Sequence, residues 1–158
     1  MIAVSIRGAN ATDAEGLAEL RYALRAGGDA TESKPEFVRR CREWIAAHLA
    51  ADGPWQCWVA EADNKLLGAI WLQWIEKIPN PRSEAEHHAY ITNFFVHEST
   101  RGNGIGTRLL TTAIDWCRDR DVHEIILWPR PRSRSLYERH GFVEASDIMA
   151  LIINKGFG

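Results

Sequence analysis

Residues 90–110 read YITNFFVHESTRGNGIGTRLL, and the rest of the chain falls into place around them. Tyr90 to Val96 is apolar, aromatic and β-branched enough to be a buried strand. From Ile105 onward the apolar residues recur at helical spacing. Ile105, Leu109, Ala113 and Trp116 make one row, with Leu110, Ile114 and Cys117 beside it. Between strand and helix lies Arg101-Gly102-Asn103-Gly104-Ile105-Gly106-Thr107. Glycines at alternate positions clear the mouth of the helix of Cβ atoms, so a ligand can approach the backbone closely. The first N–H groups of a helix have no partner inside it, and the helix dipole favours an anion there. The stretch therefore reads as a strand, a phosphate-binding loop and a helix, with Arg101 at the rim. The plainer alternative is a loop that uses its glycines only to turn.

Two familiar phosphate loops fit poorly. A dinucleotide fingerprint needs G-x-G-x-x-G and an acidic residue near the end of the next strand, but that strand ends in Leu127-Trp128-Pro129. A Walker A loop needs Gly-Lys-Ser/Thr, which the stretch lacks.

On the N-terminal side, Ile2 to Arg7 alternates as a first strand, and Thr12 with Glu15 reads as a capping box opening a helix through Leu17, Leu20 and Leu24. Gly27-Gly28-Asp29 ends that helix. Ser33 with Glu36, and Pro35 in the first turn, opens a second helix, which Gly53-Pro54 closes. His48 on its apolar side reads as a core-edge histidine. Trp55 to Glu61 and Lys65 to Ile78 form a hairpin through Asp63-Asn64. On the C-terminal side, His123 to Trp128 is a strand, Ser133 to His140 a short helix, and Phe142 to Val143 with Ile148 to Ile153 a last strand pair.

A chain of 158 residues, 46% hydrophobic and 25% charged, suits one ordinary globular domain. A net charge of −2 argues against nucleic acid or a membrane surface as the main partner. No run is apolar for the length of a membrane span, and Met1 to Arg7 does not read as a signal peptide. Cys41, Cys57 and Cys117 lack metal-ligand spacing and are odd in number, as expected for reduced thiols in a cytoplasmic protein. No metal is expected.

Arg101, Gly104 and Gly106 match the fixed positions of the R/Q-x-x-G-x-G/A element of the GCN5-related N-acetyltransferases, and the approach Phe94-Phe95-Val96 resembles that family too. Ser135-Leu136-Tyr137-Glu138-Arg139-His140-Gly141-Phe142 resembles the family's A/S-L-Y-E-x-x-G-F segment, although it is also a short helix with a glycine C-cap. The element order β-α-α-β-β-β-α-β-α-β-β is the one the family is known by. The resemblance thus spans essentially the whole chain and implies a mixed α/β (α+β) fold. It predicts one acetyltransferase domain over 1–158, with about seven strands flanked by four helices.

The resemblance implies direct attack of a primary amine, on a small molecule or a peptide, at the thioester of acetyl-coenzyme A. Two parallel strands would splay to admit pantetheine along Phe94, Phe95 and Val96, where a backbone N–H can also hold the oxyanion. The pyrophosphate would sit on the amides of Gly102, Asn103, Gly104, Ile105, Gly106 and Thr107, with Arg101 adding charge. Tyr137, with a reference pKa of about 10, would return a proton to the departing thiolate.

The sequence departs from the family pattern in two respects. Thr92 and Asn93 stand where many members carry an acidic base. Glu86, His87, His88, His97 and Glu98, or a water chain to one of them, are the alternatives, with Glu98 expected in an exposed turn. Arg130 stands where an asparagine often contacts coenzyme A. Arg130, Arg132 and Arg134 read equally as phosphate ligands or as a solvated basic loop. Trp71 and Trp74, two of seven tryptophans, fall near the expected acceptor pocket, where they would stack on a substrate or simply build core. A non-catalytic acyl-coenzyme A sensor of the same fold, and a nucleotide-binding module with an unusual loop, are the competing readings. The partner expected is an amine acceptor, without nucleic acid or membrane, and compatible with a homodimer.

Overall fold

The structure, a computed structural model, describes residues 3–154; Ile2, where the first predicted strand begins, lies outside the described residues. Two compact units divide between Trp128 and Pro129. The first holds a five-stranded sheet in the order β1-β2-β3-β4-β5, with β1 Ser5–Gly8, β2 Trp55–Ala62, β3 Lys65–Glu76, β4 His87–Val96 and β5 Glu124–Ile126. Neighbours pair antiparallel except β4 and β5, which are parallel.

The hairpin between β2 and β3 turns on Asp63 and Asn64, both at positive φ (49° and 60°). Consecutive left-handed residues twist the turn in the sense of the flanking strands, and short polar residues tolerate that conformation. On one face of the sheet lie α1 (Ala14–Arg25) and α2 (Lys34–Ala50), whose Leu17, Ala18, Val38 and Ile45 pack on Cys57, Val59, Ala69 and Trp71. Successive strand residues point to opposite faces. The other face accordingly carries Trp58 and Trp74, which meet Trp116 of α3 (Ile105–Asp119) at ring-centroid distances of 5.9 and 6.1 Å. Leu109 and Leu110 of α3 are fully buried, each worth about 1.5–3 kcal/mol. Trp71 is therefore a core residue of one face, and the half-buried Trp74 lies on the other.

The second capping box occurs as read. The Ser33 side chain accepts from the Glu36 N–H, the Glu36 carboxylate accepts from the Ser33 N–H, and Pro35 lies in the first turn. The first does not. Asn10, not Thr12, caps a 3₁₀ turn over Ala11–Asp13 that leads into α1, and Asp13, not Glu15, completes the box. Asp13 is drawn there by β1: Arg7 donates to both of its carboxylate oxygens at 2.8 Å, and also to Glu61 at 2.7 Å.

In the second unit a 3₁₀ turn, Pro131–Ser133, leads into α4 (Arg134–Arg139). Gly141 follows at φ 90°, the left-handed C-terminal position that glycine alone adopts without strain. The predicted strands at residues 142–143 and 148–153 do not form: no ladder partner pairs with them among the described residues, so the described sheet has five strands, not seven. Apolar alternation marks a face for burial but cannot make a strand without a neighbour's hydrogen bonds, and Val143, Met149, Leu151 and Ile153 are all more than 80% exposed. The four predicted helices are present. Among the described residues no helix is long and apolar enough to cross a membrane.

Candidate active site

β4 is where the sheet departs from regularity. Gly68 and Ala69 of β3 oppose Val96 and Phe95, whereas Trp71 opposes Thr92, so Asn93 and Phe94 together face the single residue Ile70. This is a β-bulge, and it leaves Asn93 in the left-handed region at φ 49°. A non-glycine residue pays little for that conformation only when it is asparagine or aspartate. The Asn93 side chain is also tethered. Arg21 of α1 donates from Nη1 to Asn93 Oδ1 at 3.1 Å, across 72 residues of chain.

The far edge of β4 changes at the same place. Its pairing with β5 covers only His88, Ala89 and Tyr90 against Glu124, Ile125 and Ile126. From Ile91 to Val96 that edge of β4 has no strand beside it among the described residues. Backbone amides and carbonyls along such an edge are open to an extended ligand with amides of its own. The pairing of the parallel strands therefore ends where pantetheine is expected to enter.

The loop that follows holds itself in shape. Arg101 Nε donates to the Val96 carbonyl at 3.0 Å, and its guanidinium lies 5.9 Å from the Phe95 ring centroid. Asn103 Nδ2 donates to the Thr100 carbonyl at 3.0 Å. Gly102 and Gly104 stand at φ 83° and 75°, and Gly104 is the N-cap residue of α3 with no side-chain cap. The first-turn amides of Ile105, Gly106 and Thr107 thus have no capping side chain to satisfy them, and an anion can do so. Ile105 is buried and anchors the helix, while Gly102, Asn103, Gly104 and Thr107 are exposed. Phe94, Phe95 and Val96 are half-buried, Phe95 against the α1/α2 core.

The alternative bases are dispersed. His87 stacks on Trp74 at 3.9 Å between centroids. His88 Nδ1 lies 3.2 Å from Glu124 Oε1, though not aligned for a hydrogen bond, with the His123 ring 5.6 Å away. His88 stands five residues before Asn93, about 16 Å along a strand. His97 Nδ1 meets Ser99 Oγ at 2.9 Å, and Glu98 is exposed in a 3₁₀ turn, as read. Thr92 shares the α1/α2 face with its partner Trp71.

Tyr137 lies in the second unit, on α4. It is buried, its ring meets Phe142 edge to face at 5.6 Å, and burial pushes its phenol above the ordinary value. The group is therefore protonated, a donor rather than an acceptor, throughout the neutral range. Of the neighbouring arginines, Arg134 pairs with Glu144 at 2.6 Å, and Arg130 and Arg132 are exposed. Sequence reasoning missed the bulge and its Arg21 tether. The one available signal was an asparagine inside an otherwise apolar strand, a residue type enriched at positive φ.

The model of the acetyltransferase (GNAT) family matches residues 21–142. A probable N-acetyltransferase, camello, of Xenopus tropicalis is 33% identical over 88 residues, 54% of this chain and 37% of the relative. An uncharacterized N-acetyltransferase of Methanocaldococcus jannaschii is 29% identical over 149 residues, 89% of this chain and 61% of the relative. The chain thus matches less than two thirds of the length of either relative. Among solved structures, a predicted acetyltransferase of Clostridium acetobutylicum, crystallised with acetyl-coenzyme A, superposes with a TM-score of 0.77 at 23% identity, covering 95% of this chain and 96% of that one. The family match runs from Arg21 through the bulge, the glycine loop and Tyr137 to Phe142, and on that match the chain belongs to the GNAT acetyltransferase family.

Proposed function

We propose that this protein is an N-acetyltransferase that moves the acetyl group of acetyl-coenzyme A directly onto a primary amine of a small molecule or peptide, with both units acting as one domain. The observation that carries the reading is the end of β4–β5 pairing at Tyr90 and Ile126, which leaves the rest of β4 without a strand on that side just before a glycine-opened helix that has no side-chain cap. Pantetheine amides pair with the edge of β4 at Phe94, Phe95 and Val96. The pyrophosphate takes the amides from Gly102 to Thr107, and Arg101 adds charge at the rim. The bulge interrupts the β3–β4 ladder, and a backbone N–H of β4 holds the oxyanion that forms as the amine adds. Tyr137 is assigned the proton donor to the departing thiolate, from the resemblance of its segment and its protonated state.

Thermal shift with acetyl-coenzyme A, ATP and NAD tests the reading. A ligand at 100 times its dissociation constant stabilises by about 2.7 kcal/mol, on the order of 5–10 °C for a domain of this size. The expected result is a shift with acetyl-coenzyme A alone, reduced in Gly104→Val, whose side chain is strained at φ 75° and shields the helix mouth. A shift with ATP or NAD and none with acetyl-coenzyme A would overturn the reading.

A further inference from the structure

The bulge in β4 decides which way the rest of the strand faces. Thr92 pairs with Trp71, which belongs to the α1/α2 core, and Phe95, three residues on, packs against that same core. In a regular strand, residues three apart point to opposite faces. The extra residue of the bulge corrects the count, and without it every side chain beyond would change face. Phe95 in turn meets the Arg101 guanidinium, and Arg101 holds the Val96 carbonyl. The stretch of backbone assigned to the cofactor therefore takes its course from the conformation of Asn93.

That conformation is held from α1. Arg21 stands three and four residues after Ala18 and Leu17, both fully buried, so it rises from the packed side of a fixed helix. Its Nη1 donates to Asn93 Oδ1 at 3.1 Å, and both residues are half-buried. Asn93 sits at φ 49°. An ordinary residue is disfavoured there by about 5- to 30-fold, and asparagine by less. A hydrogen bond from a charged donor favours the conformation that makes it by roughly 10- to 150-fold. The tether is therefore strong enough to keep the bulge in one form. We propose that Arg21 is a positioning residue for acetyl transfer: through Asn93 it fixes the bulge, and with it the place of the β4 N–H that takes the thioester oxygen. This rests on the acetyltransfer reading above and extends the site to a residue of α1.

Geometry sets the size of the effect. A misplacement of about 1 Å at a reacting group costs about 10²-fold in rate, and loss of an oxyanion donor about 10²- to 10³-fold. Loosening the bulge should thus cost turnover rather than affinity for coenzyme A, whose pyrophosphate is assigned to the loop beyond Val96.

The test compares wild type with Arg21→Met, which keeps an aliphatic stem and removes the donor. Thiol release from acetyl-coenzyme A is followed with alaninamide and with cadaverine as probe amines. In Arg21→Met kcat should fall about 10- to 100-fold, while coenzyme A raises the melting temperature as it does in wild type. Arg21→Lys should recover most of the turnover, because a single N–H makes the bond to Asn93. Arg21 has a further interaction besides this one, so a double-mutant cycle with Asn93→Gly isolates the part that acts through Asn93. Glycine is at ease at positive φ but has no oxygen to tether. The double variant should lose no more than the worse single one. Additive losses overturn the proposal, as does wild-type turnover in Arg21→Met. If Arg21→Met fails to fold, Asn93→Gly alone carries the test, and wild-type turnover there overturns the proposal.

A second readout needs no acceptor and decides where neither probe amine reacts. By NMR of isotope-labelled protein, the backbone amides of Asn93 to Val96 should shift between the coenzyme A and acetyl-coenzyme A complexes, since only acetyl-coenzyme A carries the carbonyl. In Arg21→Met that difference should shrink, and a difference of wild-type size in the folded variant overturns the proposal. No difference in wild type with both ligands bound, and no thiol release, overturns the acetyltransfer reading and the proposal with it.

Discussion

Replacing Gly68 with alanine probes the end of β4 without touching a residue assigned to chemistry. Gly68 faces Val96 across the β3–β4 ladder. A Cβ there would stand 2.7 Å from the Phe95 carbonyl oxygen, 3.2 Å from Val96 Cα and 3.3 Å from Val96 Cγ2. Two of those atoms are backbone, and that backbone is held: His97 donates to the Leu67 carbonyl at 2.7 Å, and the Val96 carbonyl accepts from Arg101. Relief requires moving β4 where the cofactor is expected to pair. Overpacking of this kind costs about 1–3 kcal/mol. For a chain of this length that lowers the melting temperature by roughly 2–12 °C. Gly16 is the informative control. Its added Cβ would meet Leu66 Cδ1 at 2.9 Å, nominally almost as tight, but that atom is the tip of a rotatable side chain. Alanine in a helix interior also gains about 1 kcal/mol over glycine. Gly16→Ala should therefore unfold at or above the wild-type temperature, while Gly68→Ala unfolds well below it and binds acetyl-coenzyme A more weakly. Calorimetric melts with and without acetyl-coenzyme A measure both. If Gly68→Ala melts with wild type, or Gly16→Ala loses as much as Gly68→Ala, then the identity of the clashing atom does not set the cost and the reasoning fails.

Two further outcomes follow from the same structure. Tyr137→Phe should lower turnover by about 10²- to 10⁴-fold while the acetyl-coenzyme A thermal shift persists, since the phenol is asked to donate a proton rather than to bind; unchanged thiol release would remove it as the acid. The Arg7 guanidinium holds the Asp13 carboxyl below the ordinary carboxylate value. A depressed folded pKa adds stability that is complete above the unfolded value of about 3.9 and is lost as pH falls from there through the folded value. Arg7→Met should therefore destabilise the protein at pH 7 and flatten its acid-unfolding curve below about pH 4, which urea melts across pH would show; a curve as steep as wild type would contradict the linkage.

Much of this molecule is legible from local chemistry. The strand from Tyr90, the glycine turn and the amphipathic helix from Ile105 are each specified within a few residues, by β-forming side chains, by positive-φ positions and by a 3.6-residue period. The same holds for the Ser33–Glu36 box and the Asp63-Asn64 turn. Sequence also separated Tyr137 from the loop as a second, independent motif. Elsewhere local signals were outcompeted. Thr12 and Glu15 formed a plausible box, but the contest for the helix start went to Asn10 and Asp13, because Arg7 of a neighbouring strand pays the cost of burying the Asp13 carboxylate. The residues after Phe142 had strand-like alternation, yet a strand exists only in a ladder.

By itself, then, the sequence determined the loop, the helices and the family, since these depend on backbone preferences and residue types that act over a few positions. Tertiary structure decided what happens at β4. A bulge is a mismatch between two strands, so Asn93 and Phe94 became one only when counted against Ile70. The end of β4–β5 pairing at Tyr90 depends on how far β5 runs beside β4. The cation at Asn93 comes from a helix 72 residues away. None of these is written in the stretch where it acts, because each is a relation between segments that only folding brings together.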